Sequence, residues 1–225
     1  MDAQTIPKIR MDSVQLNKMK TISNLLAALL LGALMATASN TDLTAGMRTE
    51  RVYLSGQGPS DAVEWDFHCS SGRRSGEWTR IPVPSNWEQH GFGGYDYGHV
   101  PSDEKHAEVG TYKTTFMVPK EWENRIVRLV FEGSMTETSI KVNGQAVGAA
   151  HQGGYLPFDF PLNAPNHFRA NQQPEVLQYG EVNELEVTVA KKPSNQSVDL
   201  AELRGDYWVF GGIYRPVYLE VLPMD

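Results

Sequence analysis

The chain has 225 residues with 27 acidic and 20 basic side chains, and its formal net charge of −7 argues against nucleic acid and anionic membranes as partners. Its single cysteine, Cys69, excludes an internal disulfide and is most simply a small buried apolar residue. The sequence shows no glycine-rich phosphate loop and no paired-cysteine metal pattern, so we expect no required cofactor.

The N-terminal segment has the pattern of a secretory signal peptide. An apolar run, Leu25–Met35, follows a basic flank, and Ala36–Ala38 matches a small-x-small cleavage site. The apolar run is too short for a comfortable membrane span. We therefore predict a signal peptide over residues 1–38, with Met19 as an alternative start, a flexible mature N-terminus over 39–47, and a secreted or periplasmic protein of a Gram-negative bacterium.

From residue 48 onward, short runs of alternating apolar residues recur between glycine, proline and asparagine. The runs lie at 62–68, 110–118, 126–131, 138–142, 145–148, 184–189 and 217–221. Asn143-Gly144, between the fourth and fifth runs, is a strong signal for a two-residue β-hairpin turn. Because no long amphipathic helix interrupts the pattern, it predicts an all-β sandwich with one core over residues 48–225.

Two stretches lack a strand pattern and are predicted to be loops. The first, 85–108, is rich in glycine, tyrosine, histidine and acids, and the second, 163–180, is polar with two prolines. Long loops on a sandwich are usually functional or disordered. In the first loop, Trp87 is interpreted as a buried anchor, the alternative being an exposed sugar platform.

Tyr95, Tyr97 and His99 alternate in the same loop. They fit equally well as the rim of a pocket, where His99 would donate to a sugar hydroxyl, and as a twisted edge segment. A second glycine-aromatic segment, His151–Phe158, is interpreted as a wide connection between strands, since its paired glycines allow a sharp turn.

The segment Asp206–Arg215 combines an acid, two glycines and four aromatics directly before the last strand run. From composition alone, it is best interpreted as core aromatics leading into a strand. The alternative is a sugar-facing loop, because aromatic rings stack on the C–H faces of sugars and carboxylates accept their hydroxyls. Asp206 fits equally well as a ligand of a sugar hydroxyl or monovalent cation and as a solvated turn acid.

An ordered set of short motifs extends over residues 53–222. It comprises Val83–Trp87 (VPSNW), Gly110–Pro119, Phe131–Gly133, Val142–Gly144, Val147-Gly148, Gly153–Phe158, Asn183–Val187 and Asp206–Val217. The set resembles the N-terminal sugar-binding domain of glycoside hydrolase family 2, which includes β-galactosidases, β-glucuronidases and β-mannosidases. The sequences of these motifs are most similar to those of secreted polysaccharide-degrading members from gut Bacteroidetes.

This resemblance implies a jelly-roll β-sandwich, similar to galactose-binding domains, that contacts a plant or host glycan. It implies that Asp206 reaches into the pocket of a neighbouring (β/α)8 barrel, where it contacts the sugar and a sodium ion, and that Trp208 and Arg215 match residues that are structural. His99 stands at the position best aligned with a sugar-contacting asparagine of the family. That departure argues against a galactoside and is compatible with an acidic sugar.

The expected sugar-contacting residues are Asp206, His99, Tyr97 and Trp208, with Asp206 as a candidate ligand for sodium and calcium as the other candidate ion. No catalytic residue is expected, since the two glutamates of the family lie on the barrel. Three hypotheses stay open: the supporting domain of a secreted family 2 glycosidase, a free-standing carbohydrate-binding module, and a structural module that buries its aromatics against a partner chain.

Overall fold

The structure is a computed structural model that describes residues 48–163 and 175–223. The predicted signal peptide, the predicted flexible segment over 39–47 and most of the predicted loop over 163–180 lie outside these ranges. No helix within them has the length and apolar character needed to cross a bilayer.

Strands dominate the described residues. They are β1 (Glu50–Tyr53), β2 (Val63–Cys69), β3 (Trp78–Val83), β4 (Asp96–Tyr97), β5 (Val109–Met117), β6 (Val127–Phe131), β7 (Glu137–Val142), β8 (Gln145–Gln152), β9 (Phe158–Pro161), β10 (Val182–Ala190), β11 (Trp208–Val209) and β12 (Val217–Val221). Two 3-10 turns, Trp87–His90 and Lys120–Trp122, and one α-helix, α1 (Gln196–Glu202), complete the described elements.

Ten of these strands form two antiparallel sheets that share one core, and β4 pairs with β11 in a separate ribbon. The first sheet has the order β3-β2-β5-β10-β7-β8, and the second has the order β1-β12-β6-β9. Phe67 and Val187 from the first sheet and Leu129 and Leu219 from the second are fully buried in the same hydrophobic cluster. The predicted all-β sandwich is therefore confirmed.

The alternating pattern of the sequence matches the burial of the strands. On β10, the apolar residues Leu185, Val187 and Val189 are buried, because side chains of a strand point alternately to the two faces of its sheet. The predicted hairpin turn is also confirmed: Asn143 and Gly144 connect β7 to β8 with φ values of 50° and 78°. Such positive φ values are what a type I′ turn requires.

Some local predictions are wrong. The predicted loop over 85–108 contains a 3-10 turn and strand β4. The connection predicted over His151–Phe158 is shorter, because β8 continues to Gln152. Helix α1 was not predicted; the side chain of Asn195 accepts a hydrogen bond from the Ser197 amide at 2.9 Å and caps its start. Its seven residues are too few to show a helical period in the sequence.

A buried arginine joins the first and last strands of the sandwich. Arg125 donates from Nε to the carbonyl of Leu222 at 2.9 Å and from Nη2 to the carbonyls of Arg48 at 2.7 Å and Val221 at 3.1 Å. Its Nη1 pairs with the carboxylate of Glu50. In the sheet, Glu50 of β1 lies directly opposite Val221 of β12. One guanidinium therefore holds both ends of the described domain.

Candidate functional site

A two-stranded ribbon, β4 paired with β11, brings candidate residues together. Trp208 lies directly opposite Tyr97, and the Gly98 amide extends the pairing by donating to the Tyr207 carbonyl at 2.8 Å. A Cβ on Gly98 would lie 2.3 Å from the carbonyl oxygen of Gly205. Only glycine permits two backbones to approach this closely, so Gly98 fixes how the two segments meet.

Four aromatic residues, Tyr95, Tyr97, Trp208 and Phe210, form what we call the ribbon face. The ring centroids of Tyr97 and Trp208 are 5.3 Å apart, and Tyr95 contacts both Trp208 at 6.1 Å and Phe210 at 5.9 Å, all edge-on. Trp208 is 56% exposed and Tyr95 is 47% exposed. An open cavity of about 390 Å³ lies against Tyr95, Trp208 and Phe210. The ribbon face thus presents rings to the outside.

The interpretation of Asp206–Arg215 as core aromatics is therefore wrong for Tyr207 and Trp208, which are exposed. The fully buried positions of this segment belong to Val209 and Ile213. Because side chains alternate across β11, Trp208 points away from the interior that Val209 fills. The segment does lead into the last strand, as predicted. Its Tyr207 and Trp208 rings are exposed, whereas Tyr214 packs, partly buried, against the small cluster that contains Val209.

Asp206 and His99 lie at one end of the ribbon. Each directly follows one of the two packed glycines, Gly205 and Gly98, and both side chains are exposed. The imidazole of His99 lies 5.7 Å from the ring of Tyr97. Within the described ranges, the Asp206 carboxylate has no hydrogen-bond or ion-pair partner. The structure thus brings all four predicted residues to one edge and leaves the carboxylate open.

Behind the ribbon lies a buried group of charges, the Lys191 cluster, made of Lys191, Glu88, Asp96 and Glu108. All four side chains are at least nine-tenths buried. Lys191 Nζ lies 2.9 Å from Glu88, 2.8 Å from Asp96 and 3.9 Å from Glu108, and it donates to the carbonyl of Gly94 at 2.7 Å. A single ammonium group therefore serves three carboxylates.

Burial and pairing shift the pKa values of this cluster in different directions. Burial disfavours charge on Lys191, but Glu88 and Asp96 outweigh it and raise its pKa. Burial raises the pKa of Glu88 in spite of Lys191. For Asp96, burial is outweighed by hydrogen bonds from Lys191 and from His106 Nδ1 at 2.7 Å, so its pKa is lowered. The negative charge of Glu88 is thus held less firmly than that of Asp96.

The Lys191 cluster attaches both halves of the ribbon to the sandwich. Asp96 belongs to β4, whereas Glu88 accepts the Gly211 amide, two residues after β11, with both oxygens at 2.9 and 3.0 Å. Lys191 directly follows β10. The sequence analysis missed this cluster, because Glu88 and Gly211 are 123 positions apart and no local spacing connects them.

Trp87 is fully buried, which confirms the predicted anchor. Three glycines line its indole: a Cβ would lie 2.0 Å from the ring at Gly211, 2.6 Å at Gly110 and 3.0 Å at Gly93. Glu88, the next residue, binds the Gly211 amide. Trp87 of the VPSNW motif therefore holds the segment of β11 by packing, and the adjacent Glu88 holds it by a charge-assisted hydrogen bond.

The lowered pKa of Asp96 predicts an acid dependence of stability. The unfolded carboxyl has a pKa of about 3.9, so the contribution of Asp96 is fully present above about pH 4 and is lost as the pH falls through the lower folded value. We expect Asp96→Asn to flatten the fall of the unfolding free energy below about pH 4. Urea titrations at a series of pH values measure this.

Asp66→Asn, at an exposed carboxylate of β2, is the matched control for that series. Parallel pH profiles for the two variants would contradict the assignment.

Comparison with known proteins supports the resemblance seen in the sequence. Residues 73–223 match the family described as "Glycosyl hydrolases family 2, sugar binding domain". A β-galactosidase of Thermoanaerobacter pseudethanolicus is 31% identical over 124 residues, which cover 55% of this chain and 15% of the relative. A β-glucuronidase of Bacteroides fragilis is 26% identical over 159 residues, which cover 70% and 19%.

Among solved structures, a family 2 β-galacturonidase from Eisenbergiella tayi bound to galacturonate is similar to this chain. Its TM-score is 0.51 at 25% identity, and the alignment covers 76% of this chain and 24% of that one. This chain therefore spans less than a quarter of the length of each of these three proteins. Since the family match covers more than half of its residues, the chain belongs to the sugar-binding domain family of the family 2 glycosyl hydrolases.

Proposed function

We propose that the domain binds carbohydrate at the ribbon face, with Tyr97 and Trp208 contacting the sugar ring and Asp206 and His99 contacting its hydroxyls. The observation that carries this proposal is the exposed Trp208, paired with the half-buried Tyr97, beside the unpartnered Asp206 carboxylate. Apolar C–H faces of a sugar pack on such rings, and its hydroxyls donate to a carboxylate.

We further propose that the domain supports the catalytic barrel of a secreted family 2 glycosidase. The curated relatives, a β-galactosidase and a β-glucuronidase, are much longer than this chain, which supports a domain within a larger enzyme. Asp206 and His99 would then form part of the rim of the barrel's sugar site. The apolar run and cleavage pattern of residues 1–38 support secretion.

A sodium or calcium ion at Asp206 would need further ligands. Calcium takes about six to eight oxygen ligands, and Asp206 supplies one carboxylate. In the part of the chain that the structure describes, no three histidine, cysteine or acidic side chains assemble around a common point. Asp206 would therefore supply only one of the ligands that such an ion needs.

A free-standing carbohydrate-binding module is the second candidate. The exposure of Tyr95 and Trp208 favours it, because these rings reach solvent without any partner domain. The two candidates differ in what the isolated chain does: a module binds a glycan by itself, whereas a supporting domain needs the barrel to complete its site.

Loss of the Trp208 ring is expected to weaken glycan binding by about tenfold, which corresponds to about 1.4 kcal/mol of lost stacking. The measurement is a titration of the full chain with a panel of monosaccharides and oligosaccharides, followed by tryptophan fluorescence and calorimetry. Asp206→Asn is expected to weaken the binding of the same glycans, since an amide replaces the carboxylate that accepts their hydroxyls.

Trp78→Ala is the matched control, because Trp78 on β3 is exposed to nearly the same extent, 54%. It should leave glycan affinity unchanged. Equal losses for Trp78→Ala and Trp208→Ala would refute a site at the ribbon face, and no response of the unaltered chain to any glycan would refute the free-standing module.

A further inference from the structure

A second cleft, the α1 cleft, lies between residues 101–103 and helix α1. Its volume is about 390 Å³, within the range of small-molecule sites of about 300–1,000 Å³. The side chains relevant here are Asp103, Lys192, Asp199, Leu200 and Arg204. None of the residues that line it belongs to the cavity at the ribbon face.

The walls of the α1 cleft are joined to one another. The Ser102 hydroxyl donates to the buried carboxylate of Asp199 on α1, and Lys192 Nζ donates to the Ser102 carbonyl at 2.7 Å. Lys105, also buried, donates to the Leu203 carbonyl at the end of α1. The cleft therefore keeps its shape without a ligand, which reduces the ordering cost of binding.

The lining combines unpaired charges of both signs with one apolar surface. Arg204 is exposed, and its guanidinium has no partner among the residues that the structure describes. Asp103 is likewise exposed and unpartnered there, and Oδ1 of the buried Asp199 accepts no hydrogen bond. Leu200 is also exposed. Lys192 and Arg204 balance Asp103 and Asp199, so the lining is neutral in a chain of net charge −7.

This set of groups matches one class of sugar. A guanidinium donates two parallel hydrogen bonds to a carboxylate, an aspartate accepts hydroxyls, and a leucine covers a C–H face. A neutral sugar would leave the Arg204 guanidinium without an ionic partner, whereas the carboxylate of a hexuronic acid supplies one. The cleft thus favours a polyhydroxylated carboxylate over a neutral ring.

We propose that the α1 cleft binds a uronic acid unit of a glycan whose neighbouring unit lies at the ribbon face. The cleft and the ribbon face are continuous along the chain, since Arg204 precedes Gly205 and Asp206, and Pro101 follows His99 by two residues. This inference rests on the proposed function and adds a preference for acidic oligosaccharides.

The test uses the full chain and calorimetric titration with tri-galacturonic acid and, as its neutral counterpart, galactotriose. Arg204→Gln is expected to weaken the binding of tri-galacturonic acid about tenfold and to leave the affinity for galactotriose unchanged, because only the contact to the carboxylate is lost. Arg80→Gln, at an exposed arginine of β3, is the matched control and should leave the affinity for both ligands unchanged. Asp206→Asn should weaken the binding of both ligands.

Three results would overturn the inference. They are equal binding of tri-galacturonic acid and galactotriose, an unchanged tri-galacturonic acid affinity in Arg204→Gln, and an equal loss in Arg80→Gln. In each of these cases, the change in galactotriose affinity that Asp206→Asn causes still tests whether the ribbon face binds sugar. Failure of both ligands to bind would overturn the α1 cleft and, with it, autonomous binding at the ribbon face.

Discussion

Replacing Lys191 with methionine is expected to lower the free energy of unfolding by about 3–5 kcal/mol, a large fraction of a domain's stability. The substitution removes the ammonium group that lies within 4 Å of Glu88, Asp96 and Glu108, all at least nine-tenths buried. Methionine keeps most of the side-chain length, so the loss reports on uncompensated carboxylates more than on packing. Urea unfolding of the variant at neutral pH measures it.

The cost should depend on pH in a defined direction. Without Lys191, the buried carboxylates gain stability by binding protons, so their folded pKa values rise above the unfolded ones and stability returns as the pH falls. We expect a smaller loss at about pH 5 than at about pH 8. Lys141→Met is the control, because Lys141 forms an exposed pair with Glu186 at 2.9 Å, for which about 0–1 kcal/mol is expected. Similar losses in both variants would contradict the role of the Lys191 cluster.

Replacing Gly211 with alanine is expected to destabilise the domain by about 3 kcal/mol through overpacking. The added Cβ would lie 2.0 Å from the indole of Trp87, which is fully buried and confined by Gly93 and Gly110 as well. The ring cannot move away, so the segment that carries β11 must shift. Glycan binding should then weaken together with stability, because Trp208 lies on that segment.

A double-mutant cycle separates this clash from other effects of Gly211→Ala. Trp87→Phe removes the part of the indole that the new methyl would overlap, at the cost of a cavity. In that background, Gly211→Ala should cost at least 1 kcal/mol less than in the unaltered chain, where roughly 0.5–3 kcal/mol of coupling is usual for residues in contact. Additive losses would mean that the two positions do not clash.

Much of the sandwich could be predicted from the sequence because its strands obey a local rule. Alternation of apolar residues at 184–189 and 217–221 marked β10 and β12, and Asn143-Gly144 marked the turn between β7 and β8. Short elements such as α1 and β4 carry too few residues to establish a period. Their positions depend on tertiary contacts, which no local pattern shows.

The candidate site could be predicted only in part, for a similar reason. The alternation in the first loop singled out Tyr97 and His99, and the motif at Asp206–Val217 singled out Asp206 and Trp208. Pairing of β4 with β11 brings these four residues to one edge. The composition of Asp206–Arg215 gave a wrong prediction of burial. It suggested that the aromatic rings lie in the core, whereas Val209 and Ile213 are buried and Tyr207 and Trp208 are exposed.

The Lys191 cluster could not be predicted at all. Lys191 and Glu88 meet only after the chain has folded back across the sandwich, and each of them by itself reads as an ordinary charged residue. The same holds for Arg204 and Asp103, which come together only at the α1 cleft. Charge patterns carry information about a site only when the partners are close along the chain.

The position of Arg125 has a mechanical consequence. Because Glu50 and Val221 face each other on antiparallel strands, tension applied through the two flanking segments pulls β1 and β12 apart from one end. The hydrogen bonds between β1 and β12 then break one after another from that end. Two strands pulled along their axes would instead have to break all of their hydrogen bonds together. The hydrogen bonds of Arg125 to Arg48, Val221 and Leu222 lie at the end of the ladder where this opening begins. We therefore expect the Arg125 guanidinium to resist the first step of this opening.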